Sequence, residues 1–133
     1  MPSKLTAVNK LRPKIIKQGT VTMERMSVRV AKNTTFHEEE IYSILRLFRR
    51  ESINALQAGE TVKIDGLVSI SPNMQVGGDV KMSIRGDRGA VAELNNPLLW
   101  TADKVSNHEN LSKSSDELVA KWNAENPDDL VAT

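Results

Sequence analysis

From Thr34 to Ser71 the apolar positions change rhythm once. Ile41, Ile44, Leu45, Phe48, Ala55 and Leu56 recur near the i, i+3, i+4, i+7 spacing of one helix face, and Tyr42, Leu47 and Ile53 widen that stripe. The pattern predicts a helix of about six turns. Thr35 and Glu38 stand three apart at its start, the spacing of a capping box. Gly59 falls where a left-handed residue would end it. Val62, Ile64, Val68 and Ile70 then alternate with Lys63, Asp65 and Ser69, the period of one half-buried strand.

Either side of this stretch the pattern is weaker. Residues 1–13 are polar and basic and read as a loose arm ending at Pro13; residues 14–19 read as a short edge strand closed by Gly19. Thr22 is placed to cap a short helix from Met23 to Lys32, with Met23, Met26, Val30 and Ala31 on one face and Asn33 as its stop. A tight Asn-Thr-Thr turn would join it to the long helix as an αα-hairpin. After the polar turn SPNMQVGG, residues 79–85 alternate again, with Val80, Met82 and Ile84 on one face and Lys81, Ser83 and Arg85 on the other. Residues 90–94 suggest a helical turn, and Asn95-Asn96-Pro97 ends the compact unit. Residues 98–113 show no period. Ser114 and Glu117 repeat the capping-box spacing and open a short helix, with Leu118 and Trp122 together on one face and Asn126-Pro127 as its end.

The expectation is therefore an α+β chain: a helical hairpin followed by a small antiparallel sheet, with an extra N-terminal strand and a partly helical C-terminal tail. The segments are a basic arm over 1–13, a domain over 14–95 and an acidic extension over 96–133. Hydrophobic residues at 39% and aromatics at 4% allow only a modest core, which a second copy would complete as a homodimer. There are no cysteines, so disulfides, thiolate metal sites and cysteine nucleophiles are excluded. No apolar run is long enough to span a membrane, and the first ten residues lack a signal-peptide core, so an intracellular protein without membrane contact is expected.

Charge adds an asymmetry. Residues 1–90 carry 15 Lys and Arg against 9 Asp and Glu, whereas residues 91–133 carry 3 against 8. A basic body of this kind suits a polyanionic partner, although an uneven solvated surface has the same count. Lys63, Lys81 and Arg85 would share the outward face of the two strands, with Arg88 in the turn that follows. Lys10, Arg12, Lys14 and Lys17 form a second candidate patch. Arg46, Arg49 and Arg50 fit contacts along their own helix, and Glu38-Glu39-Glu40 complements a helix N-terminus rather than holding a metal. Enzyme chemistry finds no support. His37-Glu38 begins like a zinc-protease motif, but Ile41 stands where the second histidine belongs. No cofactor is implied, and Trp100 and Trp122 read as packing residues.

The order helix, tight turn, long helix, then AGETVKIDGLVSI resembles the HU and integration-host-factor family of DNA-bending proteins. Ala58-Gly59-Glu60 at the helix end and Val62, Ile64, Gly66, Leu67 and Ile70 after it carry the likeness. It is closer still to the divergent HU-like proteins of Bacteroidetes and some phages, which have an extra strand before a G-T-V turn, as residues 15–21 have here. The resemblance spans roughly residues 13–95. It implies an intertwined homodimer whose strands form a saddle gripping the backbone of double-stranded DNA, with a proline at the tip of each β-arm wedged between base steps. The segment between Ser71 and Asp79 is short and holds no Lys or Arg, and Asn96-Pro97 follows the second strand. The reading is thus an HU-like protein without an intercalating arm.

Two functions follow. One is a non-sequence-specific architectural DNA-binding protein of the nucleoid, using Lys63, Lys81, Arg85 and Arg88, with Lys14 and Lys17 beside them. The other is an assembly protein, for instance a phage virion component, whose N-terminal arm and acidic tail contact protein neighbours.

Overall fold

The long helix α3 runs Glu38–Gln57 and ends as its sequence dictates. Gly59 takes φ +82°, its N–H bonds Leu56 O, and Glu60 N–H bonds back to Ala55 O. That pair of bonds is a Schellman closure, in which a left-handed glycine lets the last turn satisfy its own carbonyls. The helix start differs from expectation. His37 is the N-cap and makes no side-chain capping bond, so the Thr35–Glu38 box does not form. Thr34 Oγ1 instead accepts from Phe36 N–H, and Glu38, Glu39 and Glu40 occupy the first turn, where their charge favours the helix dipole.

The computed structural model describes residues 2–132, and the chain divides into two compact units. One is continuous, Gly19–Asn95; the other joins the described residues up to Gln18 to those from Asn96 onward. Residues 14–18, expected as the first part of the central domain, group with the terminal unit.

In the central unit, helix α2 (Met23–Ala31) is capped by Thr22, whose hydroxyl accepts from Arg25 N–H, and packs on α3 as the expected hairpin. The single strand expected after Gly59 is two strands. β2 (Val62–Ile64) and β3 (Val68–Met74) form a hairpin closed by Leu67 N–H to Ile64 O, with Gly66 at φ +74°. β4 (Val80–Gly86) pairs antiparallel with β3 across a turn at Gln75–Gly78, giving sheet order β2-β3-β4. Helix α4 (Arg88–Leu94) follows at once, capped by the Asp87 carboxylate, which accepts from Gly89 and Ala90 N–H. Among the described residues of this unit, only Ser27 and Ile41 are buried.

The terminal unit corrects the loose arm. Helix α1 (Lys4–Leu11), capped by Ser3, packs on α5 (Ser115–Glu125), capped by Ser114 as its sequence predicts. Ala7, Val119, Trp122 and Val131 make the core, with Val8 and Leu11 against it. The expected edge strand shrinks to β1 (Lys14–Ile15) and pairs with β5 (Val105–Ser106), not with the three-stranded sheet. β5 and two 3-10 turns, Pro97–Leu99 and His108–Asn110, occupy the stretch without period.

Candidate nucleic-acid interface

The three-stranded sheet has one apolar and one polar face, and its register fixes which residues share each. Val62 opposes Ile70, which opposes Ile84; Ile64 opposes Val68; Pro72 opposes Met82, and Met74 opposes Val80. On the other face Lys63 opposes Ser69, which opposes Arg85, so one row crosses all three strands with a cation at each end. Ser71 opposes Ser83, and Asn73 opposes Lys81. Thr61 and Ser71 join their hydroxyls across this face at 2.9 Å.

Strand geometry sets the spacing. Lys63 and Arg85 are two strand separations apart, about 10 Å, and Lys81 lies four residues along β4 from Arg85, about 13 Å. The paired segments of the three strands place no Asp or Glu on this face, and all three cations are exposed. Among the described residues, the ion pairs are Lys4–Asp116, Lys121–Glu109 and Lys121–Glu125, all in the terminal unit. Lys63, Lys81 and Arg85 are therefore brought together with no acidic neighbour holding them. Arg88 lies just past β4 as the first residue of α4 and is exposed. Lys14 and Lys17 belong to the terminal unit, and the other four candidate residues to the central one.

Counting charge by unit changes the electrostatic picture. Residues 19–95 contain ten Lys and Arg and ten Asp and Glu, no net charge at all. The surplus sits in residues 1–18, with five cations and no acid, while residues 96–133 carry three cations and seven acids. Lys4 donates to Asp116 Oδ1 at 2.6 Å, which, with its Coulombic attraction, holds the Asp116 carboxyl below its usual value. Ser106, Asn107 and Asn110 carry no binding signal in the sequence. All three bond the backbone of the basic segment: Asn107 Nδ2 to Lys10 O at 2.8 Å and Arg12 O at 3.2 Å, Asn110 Nδ2 to Leu11 O at 2.7 Å, and Ser106 Oγ to Lys14 O at 3.2 Å. In the sequence they look like any polar loop residues; only the left-handed φ of Asn107, +53°, gives a chemical reason for asparagine there.

Among the described residues no His, Asp or Glu cluster is arranged to hold a metal, and no helix is long and apolar enough to cross a membrane. The family HU-HIG, described as an HU domain fused to wHTH, Ig, or Glycine-rich motif, matches residues 2–87. No curated protein matches the chain.

Proposed function

Since the chain belongs to the HU-HIG family, and its fold of helical hairpin and small antiparallel sheets is compatible with an HU-like domain, we propose that it is a non-enzymatic architectural protein that binds the backbone of double-stranded DNA as a homodimer. The observation that carries this reading is the polar sheet face, where Lys63 and Arg85 end one three-strand row and Lys81 stands four residues from Arg85 on β4, all exposed. Cations so placed contact phosphates along a groove wall and carry no sequence information. Arg88 extends the set beyond β4.

Dimerisation is supported by what the central unit leaves uncovered. β4 is exposed on both faces, including Val80, Met82 and Ile84 on the apolar one. An open groove of about 550 Å³ runs between the end of α3 and this face, lined by Ile53, Leu56, Pro72, Met74, Val80 and Met82. A sheet with an uncovered apolar face gains by burying it against a second copy. The short β3–β4 turn, whose tip residue, Val76, is wholly exposed, supports DNA binding without an intercalating arm. An in-cell location on the nucleoid is part of the proposal.

The test is anisotropy of a labelled duplex of about 30 base pairs across a salt series, for the wild type and for K63A/K81A/R85A. Binding that weakens with salt, with a shallower dependence in the variant, supports backbone recognition by the sheet. Each lost phosphate contact lowers the slope of log K against log salt by about 0.9. A folded wild-type chain that does not bind at about 50 mM salt refutes it. The zero net charge of residues 19–95 favours a second reading, an assembly protein that uses this scaffold and its terminal unit for protein contacts. Non-binding to DNA would select it.

A further inference from the structure

The terminal unit does something unusual with charge. Its C-terminal half is acidic and its N-terminal half basic, yet the packing does not cancel one against the other. Of the seven acids in residues 96–133, Asp116 pairs with Lys4, and Glu109 and Glu125 lie near Lys121 of their own segment. Lys10 rests its ammonium 5.3 Å from the centre of the Trp122 ring. Arg12, Lys14 and Lys17 are exposed and make no ion pair among the described residues.

What the C-terminal half supplies to residues 10–14 is neutral hydrogen bonding to the backbone. Asn107 spans the carbonyls of Lys10 and Arg12, Asn110 takes that of Leu11, and Ser106 takes that of Lys14, while Ile16 N–H bonds Lys104 O. Asn110 is itself fully buried, and its Oδ1 accepts from Lys121. These bonds pin the last turn of α1 and the extended ribbon that leaves it, from Arg12 through β1 to Ile16. The side chains of Arg12, Lys14 and Lys17 are left to the solvent.

We infer that this ribbon is a second phosphate-backbone contact for double-stranded DNA, and that Asn107 is a positioning residue for it. The inference rests on the DNA reading proposed above. It adds that the cations of the terminal unit supply a share of the electrostatic affinity comparable to that of the sheet. The physical reason is twofold: of residues 1–18, 19–95 and 96–133 only the first set is net positive, and a pinned ribbon presents its charges without ordering them at the moment of binding. The acidic segment is then a scaffold that aids DNA binding, although its charge alone would oppose it.

The experiment uses the full chain and the same duplex across a salt series. R12Q/K14Q/K17Q removes the cations and leaves Lys10 on Trp122. N107G removes both clamp donors, keeps the net charge and readily takes the left-handed conformation. Circular dichroism and tryptophan emission confirm that each variant is folded. Three lost phosphate contacts make a fourfold rise in salt weaken the wild type about 40-fold more than R12Q/K14Q/K17Q. N107G is expected to bind severalfold more weakly at every salt concentration, with the wild-type slope and an unaltered fold. A wild-type slope in R12Q/K14Q/K17Q overturns the contact, and wild-type affinity in N107G overturns the positioning role. A wild type that binds through the sheet alone thus defeats this inference only, whereas a wild type that does not bind defeats the DNA reading itself.

Discussion

Replacing Ile84 by Asp tests whether the central unit is half of a dimeric core. Ile84 lies on β4 opposite Ile70, on the apolar face, and is 66% exposed in the single chain; Val80 and Met82 beside it are 62% and 54% exposed. Covering such a side chain with a second copy yields about 1–2 kcal/mol, since full burial of an isoleucine is worth about 1.5–3. Aspartate forfeits that gain and adds a carboxylate with no partner on the face, a further cost of several kcal/mol. Twofold symmetry places the change at the interface twice. The sum is about 5 kcal/mol or more, a thousandfold or greater rise in the dimer dissociation constant. Sedimentation velocity over a concentration series reads it directly, and thermal unfolding gives an independent measure, because the midpoint of a folded dimer rises with protein concentration. K63A, on the polar face of the same sheet, should leave the dimer intact. A wild type that is monomeric throughout, with a concentration-independent midpoint, would refute the reasoning, as would an I84D protein that dimerises like the wild type.

Two further outcomes are expected. Gly59→Ala should destabilise the fold by about 1–2 kcal/mol through its left-handed backbone, because the new Cβ meets nothing within 4 Å; denaturant titration would show a lower midpoint at unchanged slope, and an unchanged midpoint would contradict the Schellman account. Asp116 has a depressed folded value, so its contribution to the terminal unit is full above the ordinary carboxylate range near 3.8 and is lost as pH falls through the folded value. D116N should therefore make thermal stability fall less steeply on acidification than in the wild type, and an identical acid profile would remove the Lys4–Asp116 pair from the account.

The helical hairpin was legible because its signals are local: Thr22 before Met23, a stripe over five turns of α3, and Gly59-Glu60 at its end. The β2–β3 hairpin was not, for a specific reason. The apolar positions 62, 64, 68 and 70 keep one parity straight through the Asp65-Gly66 turn, so a period of two cannot tell one strand from two. The Asp-Gly pair was the remaining clue. Helix α1 escaped notice because eight residues cannot hold a helix alone; it is held by Val119, Trp122 and Val131, more than a hundred residues away. Of the candidate site, the alternation of Lys81 and Arg85 was visible in the sequence, and so was the spacing of Lys63. The hydrogen bonds of Asn107 and Asn110 to residues 10–12 were not, since no local pattern marks which loop amide will meet which distant carbonyl.

The terminal unit is built from two stretches far apart in sequence, with the whole central unit inserted between them. That arrangement dictates an order of events on the ribosome. The central unit is synthesised in one piece and can begin to fold while the rest emerges. Helix α1 leaves before its packing partners and waits for α5 and Val131, a delay of about 5–25 s at ordinary rates of synthesis. For that interval residues 1–18, with five cations and no acid, lack the partners that Ala7, Val8 and Leu11 pack against. Faster synthesis of the residues between α1 and α5 shortens the delay, and termination before α5 makes it permanent.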